Sequence, residues 1–418
     1  MTPKKISRKI KVALKVLRTE GFLGFLIMCL QFVEKNLRKL SKKNTSIKKL
    51  IDTKVKYRDA LQADYTAERP LWPGTKNKKL RFNWLMPPPG KGSGGHLNIF
   101  RFIKYLEEAG HECRIYIYTQ HAPGRIDDIR NLMGDSYPVL KASMEWIDSG
   151  DEMEDADGIF CTSWETAYPS FLSEAKGKRF YFVQDFEPYF YATGSLSTLA
   201  ENTYKFGFYG VTAGNWLATK LKRDYKMKAD HFDFGSDASM YNFMNTEKRK
   251  EIFFYARPYT ERRGFEMGIM ALDLFHQQHP EIIINMAGWD VSDYDIPFPY
   301  NNLKTLELSE LNGLYNRCAA GLVMSLTNMS LLPLELLGSG AIPVVNEGEN
   351  NRLVSDNPYI SYVADNPVAL ARALSETIER KDSLSYARKA SQSVKTATWE
   401  SSGKRFVAII ERETKTHE

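Results

Sequence analysis

Cysteine is scarce. The four in 418 residues, Cys29, Cys113, Cys161 and Cys318, form no CxxC pair, which argues against a disulfide framework or a thiolate zinc site. With no secretory signal ahead of them, they are expected to be reduced thiols in a cytoplasmic protein. The seven histidines include no HxxxH or HExxH spacing, and His276 and His279 are expected on the surface of a helix. No GxSxG occurs, so hydrolase chemistry of that type has no support. The apolar run Phe22–Val33 is twelve residues long, short of the roughly 20 that a membrane span needs. No internal repeat or low-complexity tract is visible. What is present is the mixture of a packed soluble protein, with 43% hydrophobic and 26% charged residues over a length that favours two domains.

Charge is distributed unevenly. Residues 1–60 hold 17 Lys and Arg against 4 Asp and Glu, while the rest holds 40 against 47. A nucleic-acid-binding protein would spread its basic surface over the folded part, so no nucleic-acid partner is expected. Lys4, Arg8, Lys11, Lys15 and Arg18 recur at helical spacing beside a stripe of Ile6, Ile10, Ala13, Leu14 and Leu17, the pattern of a basic amphipathic helix. With Phe22–Val33 and the lysines after it, this points to in-plane attachment of residues 1–60 to an anionic membrane surface. The alternative, that these helices pack on the body or on a second subunit to form a homodimer, stays open.

From about residue 78, short β-rich runs alternate with helical stretches: Leu80–Met86, Cys113–Thr119, Gly158–Thr162, Arg179–Val183, Phe206–Thr212 and His231–Phe234. After the polar segment Asn245–Lys250 a second series follows: Ile252–Ala256, Ile282–Ala287, Leu303–Leu306, Gly321–Ser325, Ile342–Asn346 and Tyr359–Val363. Such alternation predicts two doubly wound α/β lobes on parallel sheets. The expected organisation is a basic helical extension over 1–77, a first lobe over 78–244 and a second over 245–395, with a closing helix in 396–418 that crosses back to the first.

Gly90, Gly92 and Gly95 satisfy GxGxxG after the first strand, a weak signal for a dinucleotide fold. Pro87–Pro89 lengthen the loop, and the next strand ends in Tyr118–Thr119–Gln120–His121 without an acid to hold a ribose, so a nicotinamide site is disfavoured. What remains is Ser93–Gly94–Gly95–His96 opening a helix, where unhindered backbone amides approach a phosphate or sugar; a tight turn without ligand is the alternative. In the second series, strand Ile252–Ala256 runs into Arg257 and, six residues on, Arg263, two cations at the carboxyl edge of a sheet, where ligands of open α/β folds bind. The stretch Ser325–Val345 reads as strand end, loop, helix start and a Gly turn into the next strand, with Glu335 one turn inside the helix. Asp290, Asp293 and Asp295 include a D-x-D; in a Pro- and Tyr-rich loop they are expected to be solvated acids, and no metal is expected.

This arrangement resembles the retaining nucleotide-sugar glycosyltransferases of family 4, built from two facing Rossmann-like lobes, the GT-B architecture. Arg257 matches the family's strand-end Arg, Arg263–Gly264 stands where Lys-Gly is usual, Glu335 matches the second Glu of E-x7-E, and Gly340–Val345 matches the G-x-P-V-V strand. Ser93–Gly94–Gly95 matches the first-lobe glycine loop, and Trp399–Glu400 the signal before the C-terminal helix. The first Glu of the motif, often thought to face the transferred sugar, is replaced by Thr327. Gln184–Asp185 lacks the usual His at that strand end but keeps the following Asp.

The resemblance implies a nucleotide-sugar donor held by Gly94, Gly95, Arg257, Arg263, Ser330, Leu331 and Glu335, with no further cofactor. It also implies a metal-independent transfer in which Arg257 and Arg263 steady the departing diphosphate and Thr327 lies where the sugar-facing acid is usual; Asp185 is the candidate for contacting the acceptor hydroxyl, with a loop-capping carboxylate as the alternative. The run Val183–Thr193, with Asn202–Thr203–Tyr204, is similar to bacterial surface-glycan rhamnosyltransferases such as those of S-layer glycans. That similarity implies dTDP-rhamnose as donor, a lipid-linked glycan as acceptor, and a place at the inner face of the bacterial plasma membrane. Another hexosyl- or mannosyltransferase, or a non-catalytic nucleotide-sugar- or glycan-binding protein, remains the alternative.

Overall fold

The computed structural model describes residues 54–67, 71–90, 93–119, 124–134 and 137–415. The basic helix expected at 4–18 and the run Phe22–Val33 lie outside the described residues. The chain divides into two units, Met1–Tyr57 and Arg58–Glu418, and both sheets belong to the second.

The first sheet contains β1 (Arg81–Met86), β2 (Glu112–Tyr118), β3 (Ser143–Ile147), β4 (Gly158–Cys161), β5 (Lys178–Val183), β6 (Tyr209–Ala213) and β7 (Ala229–Phe232), in the order β3-β2-β1-β4-β5-β6-β7. The second contains β8 (Glu251–Tyr255), β9 (Ile283–Ala287), β10 (Asn301–Asn302), β11 (Cys318–Val323), β12 (Ile342–Asn346) and β13 (Ser361–Val363), in the order β10-β9-β8-β11-β12-β13. Every pairing is parallel. In both sheets the order reverses beside the first strand, between β1 and β4 and between β8 and β11, which opens a crevice at the carboxyl ends of the strands. Parallel strands covered on both faces read as continuous apolar runs, and β4, β6 and β12 are buried throughout.

Two strands depart from the expectation. The sequence pattern does not announce β3, an edge strand in which only Ile147 of Ser-Met-Glu-Trp-Ile is fully buried, so it lacks an apolar run. The strand expected at Leu303–Leu306 is absent, and β10 is instead Asn301–Asn302. Its asparagines are held by side chains, with Asn301 Nδ2 donating to Asn285 Oδ1 at 2.9 Å and Asn302 Nδ2 to Asp290 Oδ1 at 2.7 Å.

Aromatic rings fill the first lobe. Trp84 stacks on Phe160 with centroids 4.1 Å apart, and Phe160 on Phe180 at 4.8 Å. The closing helix, Trp399–Thr414, starts at Thr398, whose hydroxyl accepts from the Ser401 amide at 3.2 Å, a stabilising N-cap. It runs back over this lobe, where Phe406 lies 4.7 Å from Phe102 and 6.2 Å from Trp84. The chain therefore passes between lobes twice, and the passes touch: the Ser236 amide donates to the Ala397 carbonyl at 2.6 Å. A Cβ on Gly235 would stand 2.4 Å from the Trp399 nitrogen, so the contact requires glycine.

Candidate active site

The carboxyl ends of both sheets face a cleft of ≈ 500 Å³, within the roughly 300–1,000 Å³ of small-ligand sites. On the first-lobe side, Ser93 caps the helix Gly94–Glu108. Its hydroxyl lies 2.9 Å from His96 Nδ1, and His96 Nε2 lies 3.1 Å from the Pro87 carbonyl. A carbonyl only accepts, so Nε2 carries the proton and Nδ1 accepts from Ser93. Burial pushes the imidazole below its ordinary value, so His96 fixes the loop as a neutral ring. Gly94 has open space where a side chain would point. The Gly95 carbonyl accepts from Gln184 Nε2 at 3.0 Å, and Gln184 Oε1 from Asn98 Nδ2 at 3.2 Å. Arg101 NH1 donates to Asn98 Oδ1 at 2.7 Å, with its guanidinium 3.9 Å above Trp399.

On the second-lobe side, β8 ends in a turn that carries three arginines. Arg257 NH1 donates to the Gly288 carbonyl at 3.4 Å. Gly264 follows Arg263 at φ 52°, a left-handed conformation costly for other residues, and it lets the helix Phe265–Gln278 start immediately. Arg263 NH1 reaches Ser325 Oγ at 2.7 Å and the Asn328 carbonyl at 3.5 Å. The backbone amides of Ser330 and Leu331, ahead of the helix Leu332–Gly338, donate to no acceptor among the described residues.

Glu335 lies on that helix. Burial pushes its carboxyl up to about 7, against the pull of a hydrogen bond from the Tyr241 hydroxyl and of the Arg101 charge.

Asp185, just past β5, binds the second lobe. Oδ1 accepts from the amides of Phe186 at 2.8 Å and Asn328 at 2.9 Å. Oδ2 accepts from Thr327 Oγ1 at 3.0 Å and lies 3.3 Å from Arg262 Nε. Asn328 Nδ2 returns the link, donating to the carbonyls of Gln184 and Ala213, both at 2.9 Å.

Gly94, Gly95, Asp185, Arg257, Arg263, Ser330, Leu331 and Glu335 thus line one cleft. Thr327 does not: it is buried behind the wall with its hydroxyl turned to Asp185. Sequence reasoning passes over Arg262, although the Arg262–Arg263 doublet is a signal, and it passes over Asn328, Tyr241 and Arg101. Tyr241 sits in the interlobe segment, where no periodicity points to it. Asp290 is not among the residues lining this cleft; it accepts from Asn302 Nδ2 at 2.7 Å and pairs with Lys304 Nζ at 3.0 Å, and those bonds hold its carboxyl below the ordinary carboxylate range. Among the described residues no cluster of His, Cys, Asp or Glu has the form of a metal site.

With this geometry in view, the likenesses to known proteins fall into place. Residues 250–375 match the family described as WsaF, C-terminal domain, a stretch that contains β8 to β13. The O-antigen biosynthesis protein RfbC of Myxococcus xanthus is 31% identical over 281 residues, covering 64% of this chain and 22% of that protein. The chain thus spans under a quarter of that relative's length. Among solved structures, TarM aligns with a TM-score of 0.62 at 8% identity, over 81% of this chain and 99% of its own. HepE from Anabaena, solved with UDP-glucose, aligns at 0.58 and 14% identity, over 80% and 98%. Two parallel-sheet Rossmann-like lobes with these neighbours make the architecture GT-B.

Proposed function

We propose that the chain is a glycosyltransferase of bacterial surface-glycan assembly that transfers rhamnose from dTDP-rhamnose to a growing glycan with retention. The observation that carries the reading is the meeting of Arg257, Arg263 and Glu335 on one wall of the interlobe cleft, opposite the Gly94–Gly95 loop. The RfbC likeness supports the glycan setting, and the fold shared with a UDP-glucose-bound structure supports a nucleotide-sugar donor.

In the proposed reaction the bond from the anomeric carbon to the diphosphate oxygen breaks, and its electron pair leaves with the diphosphate. The acceptor oxygen bonds to the anomeric carbon on the same face and passes its proton to the departing phosphate. Arg257, Arg263 and the amides of Ser330 and Leu331 hold the charge that develops on the leaving oxygens, each well-placed donor contributing about 3 kcal/mol. Glu335 takes the ribose hydroxyls. Residues 1–60 attach the chain to the anionic inner face of the plasma membrane, where a lipid-linked acceptor is presented.

A second reading, a nucleotide-sugar-binding protein without turnover, is favoured by one observation: Asp185 is already engaged by Thr327, Asn328 and Arg262. One experiment separates the two. Thermal unfolding is followed with a panel of nucleotide sugars, since a ligand at 100 times its Kd stabilises by about 2.7 kcal/mol, and transfer is then assayed in excess chelator. A shift with dTDP-rhamnose followed by chelator-resistant transfer is expected. A shift without transfer favours the binding protein, and no shift with any nucleotide sugar overturns both.

A further inference from the structure

A second cleft, of ≈ 590 Å³, lies between the segment after β5 and the turn after β8. Thr260 and Arg262 line both clefts, so the two adjoin. Its walls present exposed aromatic rings from both lobes, Tyr189 at 55% and Tyr259 at 73%, while Phe190, 37% exposed, lies under the Arg262 guanidinium. Contiguous exposed apolar surface of this kind marks a ligand groove.

The charges narrow the ligand. Glu261 and Arg262, the two charged residues of the groove, oppose each other in sign. Arg262 is committed, with Nε 3.3 Å from Asp185 and its guanidinium 4.1 Å over Phe190. Lys220, 5.8 Å from the Tyr189 ring, pairs with Asp224 at 2.9 Å. A phosphate or other anion finds no free cation here among the described residues. Rings with an apolar face and a hydroxyl edge instead match a pyranose, which is apolar on its faces and hydroxylated at its rim.

The platform is also rigid. Tyr189 and Phe190 belong to the 3-10 turn Glu187–Phe190, anchored by Glu187 Oε2, which accepts from the Tyr181 hydroxyl at 2.5 Å and the Trp164 amide at 2.7 Å. Tyr259 packs edge-on against Trp289 with centroids 5.1 Å apart. Preformed surfaces bind with less ordering cost.

We propose that this groove is the acceptor subsite and that the acceptor is an uncharged saccharide chain. Its terminal sugar sits at the Arg262 mouth of the donor cleft, and the preceding sugar stacks on Tyr189 and Tyr259. The inference rests on the transferase reading above.

The test uses the native acceptor, whatever its order of sugars. A strain lacking the gene accumulates that acceptor as a truncated lipid-linked glycan, read by mass spectrometry. Full-length Tyr189→Ala/Tyr259→Ala, returned to that strain, is expected to leave the truncated glycan at least tenfold above the wild-type level, while the purified variant binds dTDP within twofold of wild type. Tyr189→Phe/Tyr259→Phe, which keeps the rings, is expected to restore the product. Full restoration by the alanine pair, or a parallel loss of dTDP affinity, overturns the assignment. So does a truncated glycan that ends in phosphate or a uronic acid. If deletion leaves the surface glycan unaltered, the transferase reading itself fails, and that is seen before any variant is made.

Discussion

The Thr327 hydroxyl donates to the Asp185 carboxylate across 3.0 Å, from the second lobe to the first. A neutral residue at 327 and an acid at 185 are therefore a matched pair. A glutamate at 327 would bring two carboxylates together, and like charges about 4 Å apart at an effective dielectric of about 20 repel by roughly 4 kcal/mol. Thr327→Glu is expected to lower the melting temperature and to enlarge the particle in small-angle scattering as the lobes part. Asp185→Asn in the same chain should reverse both. An unchanged melting temperature in the single variant would mean that this contact does not hold the lobes.

The arginines differ in what they lose. Arg257→Ala and Arg263→Ala are each expected to weaken donor binding or turnover at least tenfold, about 1.4 kcal/mol, with the fold intact. Arg263→Lys keeps the charge and should recover part of the loss. Donor titration by calorimetry checks this, and wild-type affinity in both alanine variants would remove the diphosphate assignment.

Glu335 predicts a pH dependence. Its carboxyl, raised to about 7 by burial, is protonated at pH 6, and a protonated acid accepts less well from ribose hydroxyls. Nucleotide affinity should therefore rise as pH increases through 7, and Glu335→Gln should be weak and flat. Stability runs the other way. A carboxyl whose folded value lies above its unfolded value of about 4.3 binds more protons when folded, so stability falls as pH rises from about 4.3 to about 7. Melting curves of wild type and Glu335→Gln across that window should converge at the acid end.

The proposed role of residues 1–60 is tested with vesicles. Full-length protein is expected to sediment with anionic vesicles at low salt and to be released by high salt to the extent that charge holds it, since the Debye length is about 8 Å at physiological ionic strength. A chain starting at residue 71 should stay in solution and still bind donor. Full-length protein that ignores such vesicles, or a truncated one that fails to fold, would make the segment a packing element.

Most strands legible in the sequence are largely buried, although β13, half-buried along its length, is legible as well. Ala341–Val345 is a continuous apolar run, and β12 spans Ile342–Asn346. β3 and β10 escape because an edge strand needs little apolar surface, and two asparagines read as a loop until Asn285 and Asp290 are seen opposite them. In the site, Arg257, Arg263 and Glu335 are legible because a charge beside a strand or inside a helix start has local context. Arg101, Tyr241 and Asn328 are not. Their partners lie far along the chain and are reached only through the fold: Arg101 meets Trp399, Tyr241 meets Glu335, and Asn328 meets Gln184 and Ala213. Asp185 is legible as a candidate, but its embrace by the opposite lobe is not, because nothing local to residue 185 announces Thr327.

The return of the helix Trp399–Thr414 to the first lobe sets an order on synthesis. Domains generally fold as units while the chain emerges from the ribosome, but Phe406 fills the space among Trp84, Phe102 and Phe182. Until that ring emerges, the lobe begun first has a gap in its aromatic core. The second lobe, complete in its strands at Val363, is free to close beforehand. Of the two lobes, the one translated first is therefore the last to be sealed, and a nascent chain stalled near residue 395 would expose apolar surface on that older lobe.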